Sequence, residues 1–315
     1  ESFPTRQAEA RRRGRYLGIG LANYVEGTGL GPFEGATIRA MPSGKIFLLT
    51  GAAPHGQAHK TTLAQIAADQ LGVDVHDITV VTGDTAAISM GIGTFASRIA
   101  VNAGSSGYVA ARQVREKVVK LAAHLLEAAP DDLELEGGRV FVRGVPSRSV
   151  TFAEMARIAV GGMPGYAMPG GLSPGLEATS YFLPSQSTYC NGSHVAEVEV
   201  DADTGAVRIL RYTVAHDSGR LINPLVVDGQ VEGGVAHGIG NALYEWMRYD
   251  GAAQPLTTTF ADYLLPLASD VPPVTLAHLE TPSPLNPLGL KGAGEGGTIP
   301  AAAVLIAAIE NALAP

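Results

Sequence analysis

The sequence predicts an α+β fold built from two mixed α/β subdomains, one over residues 14–165 and one over 180–315. Three observations carry that expectation. Short alternating apolar runs bounded by Gly and Pro mark strands in both halves. Longer stretches with apolar residues at three- and four-residue spacing mark helices between them. A Gly- and Pro-rich stretch at 161–175 separates the two halves.

In the first half, residues 36–40 and 45–49 read as strands joined by the turn Met41-Pro42-Ser43-Gly44. A helix is expected at 61–71 and a strand at 78–82. A turn-rich loop, 83–98, then leads into a long helix. In it Val114, Val118, Leu121 and Leu125 share one face, with Arg112, Arg115, Glu116, Lys117 and Lys120 largely opposite. Residues 130–150 read as a hairpin with turns at Glu136-Gly137-Gly138 and Arg143-Gly144. The second half opens with an alternating strand at 194–200, a turn at 201–205 and a return strand at 206–212. Residues 229–246 are helix-like but rich in Gly. Such a helix loses intrinsic propensity, so its backbone is expected to pack tightly on a neighbour. Thr298 is expected to cap a last helix over 301–313, with Pro300 in its first turn.

The chain has 315 residues, 46% hydrophobic and 17% charged. That suffices for a sizeable core and argues against disorder. The formal charge is −8, and Arg11-Arg12-Arg13 is the one basic run. Nucleic-acid binding is therefore disfavoured, and the run reads as a solvated face or a partner contact. A single cysteine, Cys190, cannot form an internal disulfide, a cysteine zinc site or an iron–sulfur cluster. No apolar run is long enough to span a bilayer. A cytoplasmic location is expected, with a periplasmic or membrane-associated complex left open. The opening Glu1-Ser2-Phe3-Pro4 has neither an initiator Met nor a signal-peptide pattern, as expected of a processed chain or the back part of a longer one.

Four stretches concentrate chemistry. In Pro54-His55-Gly56-Gln57-Ala58-His59-Lys60-Thr61-Thr62 a strand leads in and a helix leads out. The free N–H groups of that helix start suit an anion or a polar heterocycle, and Gln57 offers both donor and acceptor. On chemistry alone, a plain polar turn with capping threonines is the better reading. Gly91-Ile92-Gly93-Thr94-Phe95-Ala96-Ser97-Arg98 precedes the long helix, and Ser97 and Arg98 suit a phosphate. The same residues also read as a connection whose Arg98 pairs with an acid such as Asp84. With Ala96 in the third place the run fits a loose dinucleotide fingerprint, but the lead-in strand is missing.

His216-Asp217-Ser218-Gly219-Arg220 invites a catalytic-triad reading. Chain neighbours rarely face one another and Ser218 stands in no Gly-x-Ser-x-Gly elbow, so a structural turn is expected. Gln230, at the start of the Gly-rich helix, reads as packing or as a ligand contact. Finally, Lys291-Gly292-Ala293-Gly294-Glu295-Gly296-Gly297 sets one carboxylate among four glycines and one alanine. The dipole of the following helix favours the anion of Glu295, and burial favours its neutral form. General base and helix cap stand level on these grounds.

Taken together and in order, these stretches resemble the molybdenum hydroxylases, the family of xanthine dehydrogenase, aldehyde oxidoreductase and aerobic carbon monoxide dehydrogenase. The matching runs include His55-Gly56-Gln57-Ala58-His59-Lys60-Thr61-Thr62 and Gly93-Thr94-Phe95-Ala96-Ser97-Arg98. They continue through residues 194–200, 216–224 and 229–234, then Asp262-Tyr263-Leu264 and Lys291-Gly292-Ala293-Gly294-Glu295. The resemblance spans nearly the whole chain. It corresponds to the second molybdopterin-binding domain, the C-terminal half of the family's molybdopterin-binding subunit. It is similar to the split medium subunit of nicotinate dehydrogenase.

The resemblance implies a molybdopterin cofactor, often the cytosine dinucleotide in bacteria, with molybdenum held through the pterin dithiolene and by no protein ligand directly. It implies Glu295 as the general base in an oxidoreductase. The reaction would hydroxylate an electron-poor carbon of an N-heterocycle of purine or pyridine type, or an aldehyde, with water-derived oxygen. It assigns the pterin-holding loops to Gly56, Gln57, Ala58 and His59 and to Phe95, Ala96, Ser97, Arg98 and Ile99, with Gln230 as a further cofactor-side residue. Its implied partners are the other molybdopterin-binding half-subunit, a 2Fe-2S subunit and an FAD subunit. Many members of the family carry Gly and Glu where this chain has Ala58 and Lys60. Two other readings stay open: a non-catalytic structural partner of such a complex, and a hydrolase using Glu295 with a His.

Overall fold

The computed structural model describes residues 2–161 and 168–314, so residues 162–167 of the expected boundary stretch lie outside the described residues. In chain order the helices are α1 (Phe3–Arg12), α2 (His59–Leu71), α3 (Ile99–Leu125), α4 (Phe152–Ala159), α5 (Pro224–Leu243) and α6 (Ala301–Leu313). The strands are β1 (Tyr16–Thr28), β2 (Glu34–Ala40), β3 (Ile46–Thr50), β4 (Ile78–Thr82), β5 (Leu133–Glu136), β6 (Arg139–Val142), β7 (Val145–Thr151), β8 (Leu176–Phe182), β9 (Thr188–Val200), β10 (Val207–Asp217) and β11 (Val274–Leu279). Two compact units interleave along the chain. Unit one holds Glu1–Gly27, Tyr189–Thr281 and Lys291–Pro315, and unit two holds Thr28–Thr188 and Pro282–Leu290. Residues 14–27, grouped by the sequence with the first half, fall in unit one because β1 pairs with β9.

Unit two is organised by a four-stranded sheet in the order β4-β3-β2-β8. β2 runs antiparallel to β3 and β8, and β3 runs parallel to β4. A parallel pair needs a crossover, and α2 supplies it. The turn after β2 closes where Gly44 N donates to Met41 O at 2.8 Å. Long helix α3 packs on β2, β8 and α2 and buries Val114, Val118 and Leu121 as its spacing requires. Its first half buries Ala103, Gly104, Ser105, Ser106 and Gly107. These small residues bring the helix close to the sheet, and Ser106 donates to Glu34 O at 2.7 Å. The two turns expected in 130–150 join a three-stranded sheet, β5-β6-β7. α4 follows on a capping box between Thr151 and Glu154.

Unit one carries a second four-stranded sheet in the order β1-β9-β10-β11. β9 and β10 are antiparallel, and β11 runs parallel to β10. Its core joins Ala196, Val198 and Val214 from the sheet to Val235 and Ile239 of α5 and Leu305 of α6. Glycines set these distances. A Cβ on Gly18 would lie 1.9 Å from Ala308 O, and one on Gly20 would lie 2.0 Å from Val304 O, so β1 meets the backbone of α6. On α5, a Cβ at Gly238 would lie 2.2 Å from that of Ala301. The tight packing expected of that helix thus holds at Gly238, whereas a Cβ on Gly229 or Gly233 would meet nothing within 4 Å. α6 begins at Ala301, but Thr298 does not cap it: no side chain does. Instead the Thr298 hydroxyl donates to Gly234 O at 3.0 Å, where the bare glycine leaves the carbonyl accessible. Among the described residues, no helix is long and apolar enough to cross a membrane.

Candidate functional site

In unit two the stretch 51–58 connects β3 to α2. Gly56 has φ +103° and Ala58, at the helix start, has φ 56°, both in the left-handed region. No side chain caps α2. Thr62 turns its hydroxyl back toward Ala58 O at 3.4 Å instead, so the polar-turn reading lacks its threonine caps. The first N–H groups of α2 are thus left for solvent or a ligand. Gln57 accepts a hydrogen bond from the His55 backbone N, which fixes its amide within the loop. His59 is buried and its Nδ1 has no hydrogen-bond partner. Burial, with a smaller contribution from His55, lowers its pKa to about 4.

The second stretch lies beside the first. Thr94 Oγ1 donates to Ala53 O at 2.6 Å and ties the two loops together. Gly93 has φ +104°, and Ala96 and Ser97 follow at φ 49° and 46°. Consecutive non-Gly residues in this region cost of order 1–3 kcal/mol each unless their surroundings hold them. Arg98 does so. Its buried guanidinium pairs with Glu34 at 2.7 Å and donates to Gly93 O at 2.6 Å, Leu30 O at 2.6 Å and Phe33 O at 2.5 Å. The acid that partners Arg98 is therefore Glu34 and not Asp84, whose carboxylate accepts from Ala86 N. Phe95 is half exposed, and its ring centre lies 5.2 Å from the Arg98 guanidinium carbon. α3 starts at Ile99 with no side-chain cap.

Unit one carries the acidic loop. Glu295 is exposed, and its carbonyl accepts from Thr298 N at 2.9 Å. Gly296 and Gly297 are buried, and neither takes the left-handed backbone. Their role is close approach: a Cβ on Gly297 would lie 2.3 Å from Val231 O on α5. This contact sits one residue after Gln230, which is half-buried near the start of α5. The loop is pinned at its other end to the stretch after β10. Lys291 N donates to Ser218 O at 2.9 Å, and Lys291 Nζ lies 3.1 Å from Asp217 Oδ1. Burial alone would raise the pKa of Asp217, but hydrogen bonds from Thr281, Gly219 and Lys291 outweigh it and hold the carboxyl low. His216, Asp217 and Ser218 form no triad, since His216 Nδ1 meets Tyr24 Oη at 2.5 Å. They are not the turn expected: His216 and Asp217 end β10, with Ser218 just after it, and they anchor the acidic loop, which the sequence reading missed.

Residues 1–272 match the family model described as a molybdopterin cofactor-binding domain. The chain belongs to this family. It is 38% identical to the nicotine 6-hydroxylase large subunit of Paenarthrobacter nicotinovorans, over 100% of this chain and 40% of that protein. It is 36% identical to the carbon monoxide dehydrogenase large chain of Afipia carboxidovorans, over 91% of this chain and 37% of that one. The crystal structure of quinoline 2-oxidoreductase from Pseudomonas putida 86 superposes with a TM-score of 0.88 at 45% identity, covering 99% of this chain and 41% of that one. The molybdopterin-domain chain thus spans about 40% of the length of the curated relative it matches over its full extent. The molybdenum-hydroxylase resemblance and the mixed α/β fold read from the sequence both hold.

The loops of unit two fit a molybdopterin. Two helix N-termini without side-chain caps offer backbone N–H groups to an anionic group. A Cβ on Gly56 or Gly93 would meet nothing within 4 Å, so both loops present bare backbone beside open space. The unpartnered Nδ1 of His59 adds a buried polar atom at the start of α2. Among the described residues, no three His, Cys, Asp or Glu side chains converge as a metal-ligand set.

Proposed function

We propose that this chain supplies the pterin-holding and base-bearing part of a molybdenum hydroxylase acting on an electron-poor carbon of an N-heterocycle, with an aldehyde as the alternative substrate class. The observation that carries the reading is the pair of uncapped helix starts tied together by Thr94 and Ala53. The pterin and its phosphate would be held by Gly56, Gln57, Ala58 and His59 and by Phe95, Ala96, Ser97 and Ile99. Arg98 keeps the second loop in shape through Glu34. Gln230 is a further cofactor-side residue.

When bound, the cofactor supplies two-electron redox chemistry and the water-derived oxygen through a metal held by the dithiolene. Glu295 acts as the general base that takes the proton. It stands exposed on a loop pinned by Lys291 and packed through Gly296 and Gly297. A 2Fe-2S subunit and an FAD subunit would take the electrons, and the other half of the molybdopterin subunit would complete the site. The cytosine dinucleotide form and a cytoplasmic location belong to the same proposal. The N-heterocycle class is supported by relatives whose names carry nicotine and quinoline.

The test is Glu295→Gln in the co-purified complex. Turnover should fall about 10²–10⁴-fold, the usual worth of a positioned acid–base group, with molybdenum content unchanged. Turnover within a few-fold of the parent would favour the non-catalytic reading. Turnover by the isolated chain without molybdenum would favour the hydrolase.

A further inference from the structure

The sheet in unit one carries a row of polar rings that runs from the middle of β10 to its end. Tyr212 on β10 packs edge-on to His194 on β9, with centroids 5.6 Å apart. His194 is edge-on to Tyr24 of β1 at 5.9 Å. Tyr24 stacks against His216 at 6.2 Å. His216 is edge-on to His278 of β11 at 6.2 Å. Tyr24, His194, Tyr212 and His216 are all buried. Burying so many polar rings costs more than an aliphatic row would. Sheet register makes room for them: Gly192 lies opposite His216, and a Cβ there would fall 2.8 Å from the Tyr24 ring.

The array meets the acidic loop at Gly296. A Cβ on Gly296 would lie 2.5 Å from Tyr24 Oη and 2.9 Å from His216 Cε1. That contact is one residue from Glu295. The other anchor, Lys291, reaches Asp217 and Ser218, the two residues after His216. Both ends of the loop thus rest on the same end of β10.

We propose that the Tyr24–His216 pair is a positioning device that sets where the Glu295 carboxylate stands. The proposal rests on the reading of Glu295 as the base. The groups facing His216 are Tyr24 from β1, His194 from β9, Asp217 on its own strand, His278 from β11 and Lys291 from the loop. Burial, then His278, brings His216 down to about 4, so its ring is neutral near pH 7. A neutral, fully packed ring pair is a rigid floor, and a displacement of about 1 Å in a catalytic group costs on the order of 100-fold in rate.

The experiment uses the purified complex and three variants of this chain: Tyr24→Phe, Gly296→Ala and the double variant. Gly296→Ala should lower kcat on the order of 100-fold, because its new methyl group displaces the loop. KM and molybdenum content should stay within about twofold of the parent, since only the chemical step loses an interaction. Tyr24→Phe alone should lower kcat roughly tenfold with the same split. The double variant should recover part of the loss over Gly296→Ala, because the nearest clashing atom, Tyr24 Oη, is gone while His216 Cε1 at 2.9 Å remains.

No recovery in the double variant overturns the proposal. So does a parallel loss of molybdenum or rise in KM, which marks a folding role alone. Should Gly296→Ala fail to assemble, the kcat–KM split of Tyr24→Phe decides the matter. Glu295→Gln separates this idea from the one beneath it. If that variant keeps its turnover, the base reading fails whatever the ring pair does. If it loses turnover while Tyr24→Phe and Gly296→Ala keep theirs, the positioning proposal alone fails.

Discussion

Glu34 Oε2 lies 2.7 Å from Arg98 Nη1, and both side chains are wholly withdrawn from solvent. Removing one partner of such a pair leaves an uncompensated buried charge, which costs about 3–5 kcal/mol. Arg98→Met should therefore lower the stability of the chain by about that much, read from the denaturant midpoint. Glu34→Gln/Arg98→Met should lose less, because no charge is stranded. A single variant within about 1 kcal/mol of the parent would contradict the role assigned to the pair.

Ala58 holds a left-handed backbone at φ 56°. An alanine there is strained and a glycine is not. Ala58→Gly should raise the stability of the chain by about 1 kcal/mol, with the entropy of the unfolded chain taking back part of the gain. Thermal unfolding of the two proteins side by side measures it, and a lower Tm for the glycine form would rule out strain at this position.

Two glycines on one helix should respond oppositely. Gly233 has open space where a Cβ would stand, so Gly233→Ala should stabilise the isolated chain by roughly 0.5–1 kcal/mol through helix propensity. A Cβ on Gly238 would lie 2.2 Å from that of Ala301, so Gly238→Ala should destabilise it by about 1–3 kcal/mol through overpacking. Equal effects from the two variants would mean that α5 is not seated on Ala301 as described.

His59, His194 and His216 are each brought down to about 4 by burial, from an ordinary 6.5. Each stays neutral in the folded chain while the unfolded chain takes up protons below that ordinary value. The unfolded state therefore binds more protons between pH 6.5 and about 4, and stability falls as pH drops through this window. At about pH 5 the loss is on the order of 1–2 kcal/mol for each histidine. Denaturant midpoints at about pH 7 and pH 5 test this, and His59→Gln should make the dependence shallower. A flat profile would mean that these rings charge freely in the folded chain.

Elements defined by local patterns were legible in the sequence. α3 was visible through Val114, Val118 and Leu121, and the β2–β3 pair through Met41-Pro42-Ser43-Gly44, because spacing and turn chemistry are local. β1 was not, because Gly18 and Gly20 read as breakers until α6 needs their missing side chains. The Thr151–Glu154 capping box that starts α4 is a local signal too. The loops around Gln57 and Ala96 stand out in the sequence as candidate chemistry, but what holds the second one does not. Glu34 and Arg98 are separated by 64 residues, and nothing in either neighbourhood names the other. Tyr24 and His216 were hidden for the same reason: their strands are both in one sheet, but β9 lies between them in its order.

The interleaving of the two units sets an order on synthesis. β1 ends at Thr28, but its neighbour β9 begins only at Thr188. At ordinary translation speeds of about 5–20 residues per second, the first strand leaves the ribosome roughly ten to thirty seconds before its pairing partner exists. In that interval it is an unpaired strand edge, open to any other extended chain. Most of unit two can fold while β1 waits, although Leu288 and Leu290 join its core only near the end. Until β9 emerges, the protection of that edge falls to whatever else can cover β1.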